Sequence, residues 1–153
     1  MPNTYYQNYA HTVFPVKYRK AVIHPDWQSK LFGVMGNLFN ETSSKTVIVN
    51  GVEDHVHCLF GFRPAASISE VMKSVKARSS KWINDNNLLT HRFEWQKGFG
   101  CFTCGYSQLD RIYKYILNQE EHHKKMTFRE EYLMFLKKFE IDYDERYIFH
   151  DLI

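Results

Sequence analysis

Three cysteines in 153 residues, Cys58, Cys101 and Cys104, are too few and too odd a set for a disulfide framework, and they fit a reducing compartment. No apolar run reaches membrane-spanning length, and Met1-Pro2-Asn3-Thr4 lacks a basic-then-apolar leader, so the cytoplasm is the expected location. Low-complexity stretches, linkers and internal repeats are missing, which predicts a single domain over residues 1–153. Charge of one sign is scarce as well. A net +3 permits a nucleic-acid partner without the dense basicity of a strong binder. The chain has neither a Gly-rich Walker loop nor the acidic cluster of a two-metal nuclease. Cys101-Phe102-Thr103-Cys104 is formally a C-x-x-C. Zinc would want a second such pair or placed histidines, and His122-His123 is the only other cluster nearby. A redox motif would want a strand-to-helix context, whereas this segment reads as extended.

Aromatic residues are plentiful at 16%, within a hydrophobic content of 44% that fits a folded chain. Most must be core, but the supply also suits stacking on unpaired bases. Residues 4–16 read as a first strand. Pro25 opens a helix with Trp27, Leu31, Val34, Met35 and Leu38 on one stripe. Residues 46–52 and 55–62 form an antiparallel pair joined at Glu53-Asp54. Val56, Cys58, Phe60 and Phe62 then face a core, with His55, His57 and Leu59 on the other face. Ser67 to Glu70 is a capping box starting a helix that buries Ile68, Val71, Met72, Val75, Trp82 and Ile83. Lys73, Lys76 and Lys81 spread over its other side with Arg78 at the border, either a solvated face or a phosphate-contacting patch.

Residues 93–106 resemble a fourth strand interrupted by Gly98 and Gly100. A cap at Ser107-Gln108-Leu109-Asp110 should start the Tyr115 helix, running to near Lys125. A third capping box, Thr127 to Glu130, opens a last helix to about Phe139 that buries Tyr132, Phe135, Leu136 and Phe139. The tail 143–153 is aromatic enough to pack. The tally predicts an α+β fold, a ferredoxin-like antiparallel sheet of about four strands with the His strand central.

Two motifs carry chemistry. Histidines flanking one apolar residue leave a strand on one face with Cβ atoms roughly 6.5–7 Å apart, able to grip one cation. On a helix, Tyr115 and Gln119 share a face. Leu109, Ile112, Tyr113, Ile116 and Leu117 form the expected core stripe. Tyr115 lies roughly 100° off its centre, with Arg111, Gln119 and His122 within about 40° of Tyr115. Tyr113 is then the structural tyrosine and Tyr115 the reagent. Either motif alone is commonplace, and surface histidines or a surface tyrosine are the bland readings. Together they offer two imidazoles, an amide oxygen and a phenol. A metal there would draw charge from a phosphate under attack. The donors suit Mn²⁺ better than Mg²⁺, though abundant Mg²⁺ can serve where substrate adds oxygens.

His55-Val56-His57 followed by Tyr115-Ile116-Leu117-Asn118-Gln119 resembles the single-domain tyrosine HUH transposases of bacterial insertion sequences. The segments Asn50-Gly51-Val52-Glu53-Asp54, Ser74-Val75-Lys76-Ala77-Arg78-Ser79-Ser80-Lys81-Trp82-Ile83 and Phe93-Glu94-Trp95-Gln96-Lys97-Gly98-Phe99-Gly100 extend the likeness over essentially the whole chain. The resemblance implies a homodimer that cleaves and rejoins single-stranded DNA at hairpin-bearing transposon ends through a 5′-phosphotyrosine. It implies Tyr115 as nucleophile, His55, His57 and Gln119 as ligands of Mg²⁺ or Mn²⁺, and a tyrosine helix able to serve the partner's histidines. Lys73, Lys76, Arg78, Lys81 and Arg111 are candidate DNA contacts. Cys101 to Cys104 departs from the family pattern. A domesticated nickase, a DNA-hairpin-binding protein without catalysis, and a metal or redox protein built on Cys101 and Cys104 are the alternatives.

Overall fold

The computed structural model describes residues 4–144. From residue 145 on, the tail expected to pack lies outside the described residues. Four strands, β1 (Tyr9–Pro15), β2 (Lys45–Gly51), β3 (His55–Gly61) and β4 (Gly100–Cys104), form one antiparallel sheet in the order β2-β3-β1-β4. This is the ferredoxin-like order, with β3 central. Helix α1 (Pro25–Glu41) connects β1 to β2, and α2 (Ile68–Asp85) leads from β3 towards β4. After β4 come α3 (Tyr106–Leu117), α4 (Gln119–His122) and α5 (Phe128–Lys138).

Alternation decides which face each strand residue serves. Ala10, Thr12 and Phe14 stand opposite Phe60, Cys58 and Val56, and this face packs under α1 and α2. Phe14, Phe39, Phe60, Phe93 and Met35 are wholly buried there. Each such side chain contributes about 1.5–3 kcal/mol of hydrophobic stabilisation relative to exposure. Pro25 sits in the first turn of α1, where its missing N–H is not needed. Ser67 Oγ accepts from the Glu70 N–H at the start of α2, and Thr127 Oγ1 does the same for Glu130 at α5. The opposite face carries His11, Val13, His55, His57 and Leu59. A smaller cluster of Val13, Phe102, Phe128, Phe135 and Leu136 covers it, built largely from α5.

Several elements differ from what periodicity predicts. The fourth strand is only Gly100–Cys104, with an isolated Val16–Trp95 bridge before it. Phe93 and Trp95 dive into the main core, Trp95 Nε1 donating to Ser79 Oγ at 3.0 Å. Gly98 then turns the chain at φ +81°, a conformation L side chains rarely adopt. The tyrosine helix begins at Tyr106 with Gly105 as its cap residue, and Gln108 Oε1 accepts from the Gly105 N–H. It does not run to Lys125: it breaks at Asn118. Its expected core stripe is also rotated. Ile116 is buried, but Tyr113 and Leu117 are exposed at 36% and 52%, because α3 turns Tyr115 rather than Tyr113 towards the sheet. Phe139 is exposed at 44%, just past the end of α5. Cys101 and Cys104, three apart on a strand, point to opposite faces and are both free thiols, so they cannot act as a pair.

Candidate active site

β3 lies between β1 and β2, so both its histidines are fully buried. The turn that presents His55 is tightly held. Val16 N–H donates to the Asp54 carbonyl and Ile23 N–H to that of Glu53, each at 2.9 Å, and Val52 N–H reaches the His55 carbonyl at 3.1 Å. Gly51 permits this approach: a Cβ there would stand 2.3 Å from the His55 carbonyl oxygen and 2.8 Å from Val56 Cα. So placed, His55 Nδ1–H donates to Asp54 Oδ1 at 2.6 Å, leaving Nε2 facing into the site. His57 Nδ1 lies 2.8 Å from His11 Nε2, and the two rings stack at 5.1 Å between centroids.

Tyr115 comes from α3, whose C-terminal end is tied to β2. Asn50 Nδ2 donates to the carbonyls of Ile116 at 2.9 Å and Leu117 at 3.2 Å, satisfying acceptors a helix end leaves open. The half-buried Tyr115 hydroxyl donates to Glu131 Oε2 and lies 3.0 Å from His122 Nε2. Its ring sits 5.9 Å from that of its own chain's His57. Burial first, then the Glu131 charge, raises the phenol above its ordinary range, against a hydrogen bond from Gln119 that lowers it. Gln119 is wholly buried at the start of α4. Its Nε2 donates to the Tyr115 carbonyl at 3.3 Å, while Oε1 has no hydrogen-bond partner. A buried amide oxygen without a donor has an unmet demand that a water or a cation could fill.

Glu131, on α5, is the hub. It has no solvent exposure, and its Oε1 lies 2.9 Å from His57 Nε2, 3.1 Å from His123 Nε2 and 3.4 Å from His55 Nε2. His123 Nδ1–H donates to the Met126 carbonyl at 2.7 Å, and its Nε2 faces His55 Nε2 at 3.0 Å. His55, His57, His123 and Glu131 thus offer four donor atoms within 4.8 Å of one another, a group able to hold a metal ion. Burial opposes charge on Glu131, but His57, His123 and His55 outweigh it and hold the carboxyl far below the usual range. Burial takes His57 down to about 4 and, with the His57 charge adding, His11 to about 3. At His55 burial is overcome by Asp54 and Glu131, and the imidazole is raised.

The structure therefore brings together three of the residues singled out from the sequence, His55, His57 and Tyr115, with Gln119 buried against Tyr115. The four basic candidates on α2 do not join them, because α2 lies on the other face of the sheet, and Arg111, though on α3, is exposed. Lys76 Nζ donates to the Gln96 and Gly98 carbonyls at 2.6 and 2.7 Å, and burial lowers it to about 8. Arg78 pairs with Glu41 and Lys81 with Asp85, while Lys73 and Arg111 are exposed. Sequence reasoning missed His11, His123 and Glu131. Glu131 did leave a trace: it sits on the apolar stripe of α5 between Phe128 and Phe135, where a charge has no business without a partner.

No curated protein matches this chain. Among solved structures, a candidate transposase from Deinococcus radiodurans R1 superposes with a TM-score of 0.63 at 21% identity, covering 78% of this chain and 95% of its own. A REP-associated tyrosine transposase bound to a REP hairpin superposes with a TM-score of 0.58 at 14% identity, covering 80% and 73%. Both likenesses establish the fold. The family description "Transposase IS200 like" matches residues 4–119, which include both strand histidines, Tyr115 and Gln119. With three quarters of its length matched in this way, the chain belongs to the IS200-like transposase family.

Proposed function

We propose that the chain cleaves and rejoins single-stranded DNA at insertion-sequence ends through a 5′-phosphotyrosine on Tyr115. His55, His57 and Gln119 would serve as ligands of a divalent ion, Mg²⁺ or Mn²⁺. The observation that carries this reading is the meeting of the Tyr115 hydroxyl with the buried His55–His57 pair, from elements far apart in sequence. Gln119 supports it through its unpartnered Oε1.

In the reaction a bond forms between Tyr115 Oη and phosphorus while the bond from phosphorus to O3′ breaks. The phenol loses a proton and the departing O3′ gains one. A bound dication would polarise the phosphate and ease departure of the O3′. The chain's own residues do the rest. The α3 backbone and Asn50 aim Tyr115, and Asp54 and His11 fix the rings of His55 and His57. His122 Nε2, at 3.0 Å, is the nearest uncharged acceptor for the phenol proton, burial holding that imidazole below its ordinary range. In the described arrangement Glu131 Oε2 takes the hydrogen bond of the Tyr115 hydroxyl, so a phosphate brought to that hydroxyl oxygen would require α5 to withdraw.

Hairpin-bearing single-stranded DNA is the proposed substrate, on the precedent of the relative that binds a REP hairpin. Lys73 and Arg111 remain the free cationic candidates for backbone contacts. The proposed assembly is a homodimer of single-domain chains. The outer face of α3 supports it, exposing Tyr106 at 64%, Tyr113 at 36% and Leu117 at 52%. No helix among the described residues is long and apolar enough to cross a membrane.

The test is cleavage of an oligonucleotide carrying the element's end. Tyr115→Phe should lower cleavage by about 10⁴-fold or more while DNA binding persists, and the wild-type adduct should map to Tyr115. An adduct on Tyr113, or full cleavage by the Phe variant, would overturn the assignment. Binding without any wild-type adduct would favour a silent hairpin-binding protein.

A further inference from the structure

We propose that His123 and Glu131 are metal ligands that close, with His55 and His57, a four-donor site on the DNA-free chain for a transition-metal dication in preference to Mg²⁺. This rests on the reading of His55 and His57 as metal ligands. It goes beyond it because His123 and Glu131 lie outside residues 4–119, the stretch matched to the family.

Proton placement carries the argument. His55 gives its Nδ1 proton to Asp54, whose carboxylate can only accept. His123 gives its Nδ1 proton to the Met126 carbonyl, which likewise only accepts. In their neutral forms both rings therefore present bare Nε2 lone pairs, yet those nitrogens face each other at 3.0 Å. Both also face Glu131 Oε1, at 3.4 and 3.1 Å, with no solvent at the carboxylate or at His55. Three acceptors converge on one point, an arrangement that repels itself unless positive charge sits among them. A proton on either ring relieves the two contacts that ring makes and leaves the third; a dication relieves all three.

The fourth donor is adaptable. His57 Nε2 lies 2.9 Å from Glu131 Oε1 and its Nδ1 2.8 Å from His11 Nε2. Each neutral imidazole has one donor and one acceptor, so the His11–His57 contact works with the proton on either side. When His57 Nδ1–H donates to His11, His57 Nε2 becomes a bare ligand.

The spacings suit an ion. Metal–nitrogen and metal–oxygen bonds of about 2.0–2.2 Å in a tetrahedral site place ligand atoms about 3.4 Å apart. Four of the six donor–donor spacings here are 2.9–3.4 Å, and the two between His57 and the other imidazoles lie within 4.8 Å, so a bound ion would draw His57 inward. Three imidazoles and one carboxylate form a donor set for Zn²⁺ or Co²⁺, whereas Mg²⁺ prefers oxygen and retains water. Two outer partners are those metal-bound histidines usually have, a carboxylate at His55 and a carbonyl at His123, while His57 has the His11 ring nitrogen instead. A cleft of about 500 Å³ lined by Asp54, His123, Met126 and Phe128 reaches one of the four ligands, His123, from outside.

The test uses the intact chain without DNA. Zn²⁺-loaded protein examined by X-ray absorption should fit three imidazoles and one carboxylate. Co²⁺ titration should give a four-coordinate visible spectrum that millimolar Mg²⁺ does not displace. His123→Ala and Glu131→Gln should each weaken Co²⁺ binding by roughly ten-fold or more. Two imidazoles by absorption, or unchanged Co²⁺ affinity in both variants while His55→Ala loses it, would overturn this proposal alone. So would a loss confined to Gln119→Ala. If His55→Ala binds Co²⁺ as tightly as the wild type, the underlying histidine-pair reading falls too. Because the absorption measurement needs no substitution, it decides the matter even if Glu131→Gln fails to fold.

Discussion

His11 and His57 are kept neutral by burial, to about 3 and about 4, against an ordinary value of 6.5. Between those values and 6.5 the unfolded chain binds protons that the folded chain refuses. Their contribution is therefore intact above pH 6.5 and lost as pH falls towards 4. His55 is shifted the other way, but below pH 6.5 it is protonated in both states and offsets nothing in this window. Stability should fall by up to about 1.4 kcal/mol per pH unit for each of the two histidines. Urea unfolding in chelator at several pH values between 7 and 4.5 measures this slope, and His11→Phe should reduce it, the remainder coming from His57 and from His122, which burial also lowers. A flat profile would sink the account. The same residues mark the limit of sequence reading. His55, His57 and Tyr115 were legible because each motif is local: strand alternation pairs the histidines and the helical turn sets Tyr115 beside Gln119. His11, His123 and Glu131 join them only through tertiary packing of β1 and α5, which no local period encodes.

At the scale of elements, two glycines should answer alanine with opposite signs. Gly51 ends β2 against the carbonyl of His55, and an added Cβ at 2.3 Å forces that turn apart. Gly51→Ala should cost about 2 kcal/mol or more and disturb metal binding with it. Gly33, exposed in the interior of α1 with nothing within 4 Å of an added Cβ, should gain about 0.5–1 kcal/mol as Gly33→Ala. Denaturation midpoints of the two variants check both signs; a neutral Gly51→Ala would show that the turn relaxes without strain. The hairpin, α1, α2 and the capping boxes could be read directly, since their patterns answer to one core. α3 could not. A wheel assigns its most apolar arc to the interior, yet this helix aims Tyr115 and Ile116 at β2 and β3 while Tyr113 and Leu117 face out. Its break at Asn118 was equally hidden, because Asn50 of a distant strand takes up the carbonyls that would otherwise continue the helix.

At the scale of the molecule, the strand histidines, the tyrosine and Glu131 of one chain lie together. The family resemblance implied a tyrosine able to serve the partner's histidines, whereas the described Tyr115 stands against its own His57. Mixing Tyr115→Phe with His55→Ala under subunit exchange separates the two arrangements. With the intrachain arrangement the mixture should stay inactive; restored cleavage would mean that α3 crosses between chains. The position of α5 also bears on tempo. Its apolar anchors are chiefly Phe128, Phe135 and Leu136, with Glu131 bonded at its centre, and it lies directly over the histidines. On the proposed reaction, each cutting event must wait for that helix to leave. However fast the bond chemistry and however abundant the DNA, throughput levels off at the frequency with which eleven residues lift away. The last helix would then act as the protein's clock, and substitutions at Phe128 or Phe135, which touch no phosphate, would change how fast it ticks.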